Sequence, residues 1–212
     1  MASTKPSHLW YFTDPMCSWC WGFTPVIEAL QEEYRARMDV ELVLGGLHPS
    51  ETSPLTEVER QDIYHDWRQV HERSGQPIDF DHAMPPGFVC NSEPPSRAVL
   101  AAASLNDRLA FPMMKAIQSA FFAGGRDVTQ TDTLIDLAAG LGLDREAFLQ
   151  ASTSASVRSK TRAQFVKTRQ MGVRGLPALI LQQGNDLHPI CNSWQPLAKI
   201  RAALDAKLGK PN

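Results

Sequence analysis

The cysteine pair in Cys17-Ser18-Trp19-Cys20 is the sequence feature that most restricts the fold. The pair follows an apolar, strand-like run over residues 9–12 and precedes a helical pattern, so it lies where a strand gives way to a helix. At such a position, free backbone N–H groups and the positive end of the helix dipole face the first cysteine, and both favour a thiolate. The second cysteine follows roughly one turn later, close enough to form a disulfide with the first. In a chain without an export signal, this context favours a redox pair.

The residues around this pair predict a β-α-β unit. Residues 9–13 are an apolar, aromatic strand that Asp14-Pro15-Met16 ends, and a helix with regularly spaced apolar residues runs from about 17 to 37. A second strand over 40–44 stops at Gly45-Gly46. The connection between the two strands is long enough for them to be parallel.

The middle of the chain predicts a series of helices, and strand character returns near the end. Ser53-Pro54 predicts the start of the first helix in the series, and residues 75–95 predict a long loop. Further helices are predicted at about 94–106, 111–123, 131–139, 144–150 and 156–171. A hairpin over 178–190 and a helix over 195–208 complete the order of elements.

This order predicts one α/β domain that is interrupted by helices. Residues 1–50 and 161–212 form its two parts, and residues 51–160 form an all-helical insertion. The resulting plan is β-α-β, then the insertion, then β-β-α. A chain of 212 residues is long enough to bury a sizeable core in this arrangement.

Charge and hydropathy exclude several classes of function. A formal net charge of −2 gives no basic surface for nucleic acid or for an anionic membrane, and no apolar run reaches the length of a membrane-spanning helix. The first residues contain no apolar stretch of a signal peptide, so we expect a cytoplasmic protein. Four cysteines are too few for a disulfide framework, and Cys90 and Cys191 are expected to be free, buried thiols.

Two segments far apart in the chain resemble those of a known family. With the cysteine pair opening the first helix and Gly175-Leu176-Pro177 opening the third strand, the plan resembles the thioredoxin fold, and the large helical insertion resembles its DsbA-like branch. Residues 14–23 resemble the active-site segment of cytosolic DsbA-family oxidoreductases, including the FrnE-like proteins. Residues 172–178 resemble the family's GVxGxP segment, in which the proline peptide is cis. Residues 91–98 and 121–128 look like weaker family landmarks.

The resemblance implies separate roles for the two cysteines. Cys17 would be the exposed nucleophilic thiolate, and Cys20 would be the partly buried thiol that resolves the mixed disulfide. Leu176-Pro177 would lie beside Cys17 with a cis bond, and the backbone of Leu176 would pair with an extended substrate strand. Gly175 would support this segment.

The two residues between the cysteines would tune the pair. Ser18 and Trp19 occupy these positions, and Trp19 would lie on the rim of the substrate groove. DsbA itself commonly has a histidine here, and without that cation we expect a less oxidising pair, which fits a reductase or isomerase. The resemblance implies protein disulfides as substrates and no metal or organic cofactor. Thioredoxin or glutathione would supply the reducing power, the latter as a co-substrate.

Other interpretations stay open from the sequence. Kappa-class glutathione transferases and 2-hydroxychromene-2-carboxylate isomerases share the DsbA-like plan, but they have a serine at the nucleophile position, where this chain has Cys17. A zinc-stabilised module without catalysis would use His188 and Cys191 as ligands together with the cysteine pair. The role of Asp14 is also open, because its charge would disfavour a nearby thiolate or its side chain would hold a loop.

Overall fold

The structure, a computed structural model, describes residues 7–209. These residues form one four-stranded sheet, in the order β2-β1-β3-β4, and eight α-helices. The strands are β1 Ser7–Thr13, β2 Met38–Leu44, β3 Ala178–Gln183 and β4 Asp186–Cys191. β1 pairs in parallel with β2 and antiparallel with β3, which forms an antiparallel hairpin with β4. The predicted α/β fold of the thioredoxin type with a helical insertion is therefore confirmed.

Most of the helices lie between β2 and β3. The α-helices are α1 Ser18–Glu33, α2 Glu57–Ser74, α3 Glu93–Leu105, α4 Ala110–Gln118, α5 Thr131–Gly140, α6 Arg145–Thr153, α7 Ala155–Gln170 and α8 Leu197–Leu208. Helices α2 to α7 form the insertion, and α7 crosses residue 160, so the boundary predicted there falls inside a helix. Within residues 7–209, no helix combines the length and the apolar composition needed to cross a membrane.

Helix α2 begins at Glu57 and not at Ser53-Pro54. The Thr56 hydroxyl accepts a hydrogen bond from the Glu59 backbone N–H at 3.3 Å, and the Glu59 carboxylate accepts one from the Thr56 N–H at 2.8 Å. This reciprocal pair satisfies two donors at the start of the helix, which a Ser-Pro start does not do. The helix ends at Gly75, whose φ of 72° lies in the left-handed region that glycine adopts readily.

The helix predicted over 111–123 is α-helical only in its first part. A π-helical turn, Ser119–Ala123, follows α4 directly. A turn of this kind changes the direction of the side chains that it carries. Phe121 and Phe122 point into the aromatic core of the insertion, where their ring centroids lie 5.5 and 4.9 Å from that of Trp67.

Helix α1 belongs to two hydrophobic cores. Its Phe23 packs on one face of the sheet with Leu9 and Tyr11 of β1. Its Trp21 points instead into the insertion, where it stacks on Phe122 with 6.3 Å between the ring centroids. The cysteine pair therefore lies at the junction between the sheet and the insertion.

Candidate active site

Cys17 is the N-cap residue of α1. Its backbone is extended (φ −87°, ψ 112°), and the backbone N–H of Cys20 donates to its Sγ at 3.4 Å. The Cys17 carbonyl accepts from the backbone N–H of Trp21 at 3.0 Å, which begins the helical ladder. Both cysteines are free thiols. The Cys17 sulfur thus meets a backbone donor at the N-terminus of a helix, where the N–H groups of the first turn have no partner within the helix.

The exposed fraction of Cys17 is smaller than the sequence predicts. Cys17 is 6% exposed, and Cys20 is fully buried where partial burial was expected. Cys17 lies in the wall of a cleft of about 230 Å³ that also has Trp67 and Phe121 of the insertion in its lining. The predicted exposure is wrong because the insertion folds over the N-terminus of α1.

Cys20 lies behind Cys17, on the side of α1 that faces the sheet core. Burial raises the pKa of the Cys20 thiol well above its usual range, and the neighbouring Cys17 raises it further. The two sulfurs therefore differ in their surroundings, because Cys17 borders the cleft and Cys20 has no exposed surface. Such an arrangement suits an attacking thiol in front and a resolving thiol behind.

The Leu176-Pro177 peptide is cis and lies beside Cys17. The Leu176 carbonyl oxygen is 3.9 Å from Cys17 Sγ, within reach of a hydrogen bond from the thiol. A Cβ on Gly175 would lie 2.6 Å from the backbone oxygen of Asn192. Glycine is therefore the residue that allows these two segments of the chain to approach so closely. The structure thus brings together two segments that are far apart in the sequence.

The residues between the two cysteines occupy the mouth of the cleft. Ser18, the first residue of α1, and Trp19 are both half-buried and contribute to the cleft lining. The Trp19 ring lies 6.3 Å from that of Trp194, and the Arg73 guanidinium carbon lies 5.4 Å above it. Trp19 is the member of this group that lines the cleft.

Asp14 ties the loop of the cysteine pair to two other segments. Its fully buried carboxylate accepts hydrogen bonds from Met16 N–H at 2.9 Å, Leu47 N–H at 2.8 Å and the Ser92 hydroxyl at 3.0 Å. Burial raises the pKa of the Asp14 carboxyl, although these three donors act against the rise. The sequence leaves open whether Asp14 disfavours a nearby thiolate or holds a loop. These three contacts correspond to the second role.

The other two cysteines differ in position. Cys90 is buried in the lining of the same cleft as Cys17, and burial raises the pKa of its thiol to about 12. Cys191 is half-buried in β4, and burial raises the pKa of its thiol to about 11. Within residues 7–209, no three or more acidic, histidine or cysteine side chains are grouped closely enough to hold a metal ion. The described residues therefore do not assemble the zinc site that would combine Cys17 and Cys20 with His188 and Cys191.

Sequence reasoning missed the side of the cleft that faces the cysteines. Its apolar lining includes Ile63, Trp67, Met84 and Phe121. The helical spacing of Ile63 and Trp67 predicts a buried face on α2, but no local pattern joins that face to Met84 or Phe121. Only the packing of the insertion brings these residues together.

Comparisons with known proteins give the family and the fold. A family model described as DSBA-like thioredoxin domain matches residues 9–204. A structure from Nitrosomonas europaea, described as that of a candidate protein disulfide isomerase, is 38% identical, covers 96% of this chain and 98% of its own, and has a TM-score of 0.90. The cytosolic disulfide reductase DsbM from Pseudomonas aeruginosa is 28% identical, with 95% of this chain and 98% of its own covered and a TM-score of 0.79, and it has also been solved with GSH.

A curated relative has a different description. The ClpXP adapter protein SpxH of Halalkalibacterium halodurans is 27% identical over 185 residues, which cover 85% of this chain. The match spans 60% of the length of SpxH.

Proposed function

Because this chain belongs to the DSBA-like thioredoxin domain family, we propose that it is a thiol–disulfide oxidoreductase that reduces or isomerises protein disulfides in the cytoplasm. One observation carries the proposal: Cys17 Sγ receives a backbone N–H at 3.4 Å and lies 3.9 Å from the Leu176 carbonyl, at the edge of a cleft. The likeness to a cytosolic disulfide reductase supports the compartment and the direction of the reaction.

The reaction has two steps. The Cys17 thiolate attacks one sulfur of a substrate disulfide, so that a mixed disulfide forms and the other substrate sulfur leaves as a thiolate that takes up a proton. Cys20 then loses its proton and attacks Cys17 Sγ, which closes the Cys17–Cys20 disulfide and releases the second substrate sulfur. Backbone donation from Cys20 to Cys17 favours the first step, because it stabilises the attacking thiolate.

The substrate chain would bind along the Leu176-Pro177 segment. Pro177 has no N–H to donate, so the polar backbone groups of Leu176 are the ones available to an extended chain beside the Cys17 sulfur. Gly175 permits the close approach of this segment to Asn192. Trp19 would contact the residues that flank the substrate cysteine, and Ser18 would line the inner part of the entrance.

Glutathione is the reductant that we propose for the oxidised pair. The solved complex of DsbM with GSH supports a glutathione site in a protein of this plan. A glutathione thiolate would attack the Cys17–Cys20 disulfide, and a second glutathione would release the first as oxidised glutathione. Thioredoxin is the other donor that the same chemistry accommodates.

Catalysed reduction of insulin by glutathione, coupled to glutathione reductase, tests the function. We expect Cys17→Ser to lose the catalysed rate and Cys20→Ser to accumulate a mixed disulfide at Cys17. Cys191→Ser is the matched control, because it makes the same change outside the cleft lining and is expected to keep the wild-type rate. Activity of Cys17→Ser equal to that of wild type would exclude the proposed mechanism.

The SpxH relatives support a second candidate, a protein-binding role without chemistry. An adapter would bind purified ClpXP equally well when Cys17 and Cys20 are both replaced by serine, whereas an oxidoreductase loses its activity in that variant. The same double variant tests the glutathione transferase alternative, which requires conjugation of glutathione to a model electrophile to persist. Binding of ClpXP, reduction of insulin and conjugation of glutathione by the full-length double variant therefore distinguish the three functions.

A further inference from the structure

Thr13, the last residue of β1, has a buried hydroxyl without a partner. The residue has no exposed surface, and within residues 7–209 its Oγ1 makes no hydrogen bond. An unpaired buried hydroxyl lowers stability, and valine would fill nearly the same volume without that penalty. A buried group left unpaired in a native protein calls for an explanation, and a catalytic or redox role is one of the known ones.

The Thr13 side chain lies on the face of the sheet that α1 covers. Side chains alternate along a strand, so Thr13 shares the face of Leu9 and Tyr11, which pack in the core that α1 covers. Burial, followed by the neighbouring Cys17, raises the pKa of the Cys20 thiol, whereas the Thr13 hydroxyl acts as a donor that lowers it. A thiol is a weak acceptor, so a hydroxyl on this face can remain unpaired while Cys20 is protonated.

We propose that the Thr13 hydroxyl donates a hydrogen bond to the Cys20 thiolate when that thiolate forms in the second step of the reaction. The proposal rests on the oxidoreductase function above and adds a positioning residue to it. In this step the Cys20 thiol loses its proton, the Cys20–Cys17 bond forms, and the bond from Cys17 to the substrate sulfur breaks. The electron pair leaves on the substrate sulfur, which takes up a proton, so no additional reductant is needed.

The surroundings of Cys20 provide few other ways to stabilise a negative charge. The backbone N–H of Asp14 is a second donor that lowers the pKa of Cys20. The titratable groups that face it are Cys17 on its own helix and Tyr11 on β1. One charged side chain meets this part of α1 from another element: Arg73 of α2, whose guanidinium carbon lies 5.4 Å from the centroid of the Trp19 ring. Uncharged side chains that meet it are Val70 and Ser74 from α2, Gln118 from α4, Trp194 after β4, and Ile200 and Leu204 from α8. Loss of the Thr13 donor is therefore expected to raise the pKa of Cys20 further.

A stopped-flow reaction with 5,5′-dithiobis(2-nitrobenzoic acid) separates the two steps. Reduced full-length protein releases one thionitrobenzoate when Cys17 attacks and a second when Cys20 resolves the mixed disulfide. In Thr13→Val we expect an unchanged first release and a second release slowed about tenfold, the effect of one hydrogen bond to a charged group. The pH at which the second release is half-maximal moves upward. Thr13→Ser keeps the hydroxyl and is expected to retain the wild-type second release and its pH profile.

Thermal unfolding supplies an independent readout. Because Thr13→Val removes an unpaired buried hydroxyl, we expect its melting temperature to rise while its second release slows, a combination that a purely structural role does not produce. A second release in Thr13→Val with the wild-type rate and pH profile would overturn the proposal, as would a Thr13→Ser protein as slow as the valine variant. If valine prevents folding, Thr13→Ala compared with Thr13→Ser gives the same test. Absence of the first release in wild type would instead refute the oxidoreductase function itself.

Discussion

Replacement of Gly175 by alanine tests the close approach of the Leu176 segment to Cys17. The added Cβ would lie 2.6 Å from the backbone oxygen of Asn192, and ordinary van der Waals contact begins at 3.4 Å. The atom that it meets belongs to the backbone, so no flexible side chain can move aside. Either the backbone at Asn192, just after β4, or the segment that carries Leu176 must therefore shift by about 0.8 Å.

A shift of this size affects both stability and the reaction. Overpacking costs about 1–3 kcal/mol in a close-packed core, and we take this range for the contact of half-buried Gly175 because the atom that the Cβ meets is backbone. In a domain of this length, each kcal/mol lowers the melting temperature by about 2–4 °C, so we expect a total decrease of about 2–12 °C. The Leu176 carbonyl already lies 3.9 Å from Cys17 Sγ, and a displacement away from the sulfur breaks that contact. Misplacement of a substrate-binding segment by about 1 Å lowers a rate by up to about a hundredfold.

Insulin reduction and thermal unfolding of Gly175→Ala measure these effects. We expect kcat/KM for insulin to fall at least about tenfold, because an extended substrate can no longer align with Leu176. Gly140→Ala is the matched control: it makes the same chemical change in α5, where a Cβ meets nothing within 4 Å. Its rate is expected to equal that of wild type. If Gly175→Ala matches Gly140→Ala in both rate and melting temperature, the segment does not position the substrate.

Two further predictions follow from the buried acidic and thiol groups beside the cleft. Burial raises the pKa of Asp14 in the folded state above its unfolded value of about 3.9, so its contribution to stability is full below about pH 4 and is lost as the pH rises through the raised folded pKa. The free energy of unfolding of wild type minus that of Asp14→Asn should therefore decrease from about pH 4 to pH 7 in urea titrations, and a difference that grows with pH would contradict the assignment. Burial raises the pKa of Cys90 to about 12, so brief iodoacetamide treatment at mildly alkaline pH should label Cys17 and spare Cys90. Peptide mass spectrometry measures both sites, and equal labelling would show that Cys90 is accessible and ionised.

The elements around the cysteine pair are predictable because their signals are local. An apolar run ends at Asp14-Pro15, the helical spacing begins immediately after it, and the Leu176-Pro177 segment opens a second apolar run. The start of α2 also has a local signal, the Thr56-x-x-Glu59 capping box. This box satisfies more backbone donors than a start at Ser53-Pro54 would. Each of these features depends only on neighbouring residues.

The accessibility of Cys17 depends instead on contacts between distant parts of the chain. The π turn directs Phe121 toward Trp67, and both residues line the cleft in front of the sulfur. Neither the turn nor this pairing has a periodic signal in the sequence. The donors to Asp14 are similarly non-local, since Leu47 follows β2 and Ser92 precedes α3. The position of the pair at the start of α1 was therefore predictable, whereas its burial was not.

The contacts of Asp14 restrict how a substrate can reach Cys17. One carboxylate accepts from Met16 in the loop of the cysteine pair and from Ser92 at the start of α3, so it links that loop to the insertion. Movement of the insertion away from α1 would break the Ser92 contact and leave a buried carboxylate with fewer donors, which is unfavourable. The cleft is therefore expected to receive substrates in its present form. Its volume of about 230 Å³ suits one large side chain beside the substrate cysteine. With the proposed function, a protein disulfide would accordingly be presented in an extended or locally unfolded segment that lies along Leu176.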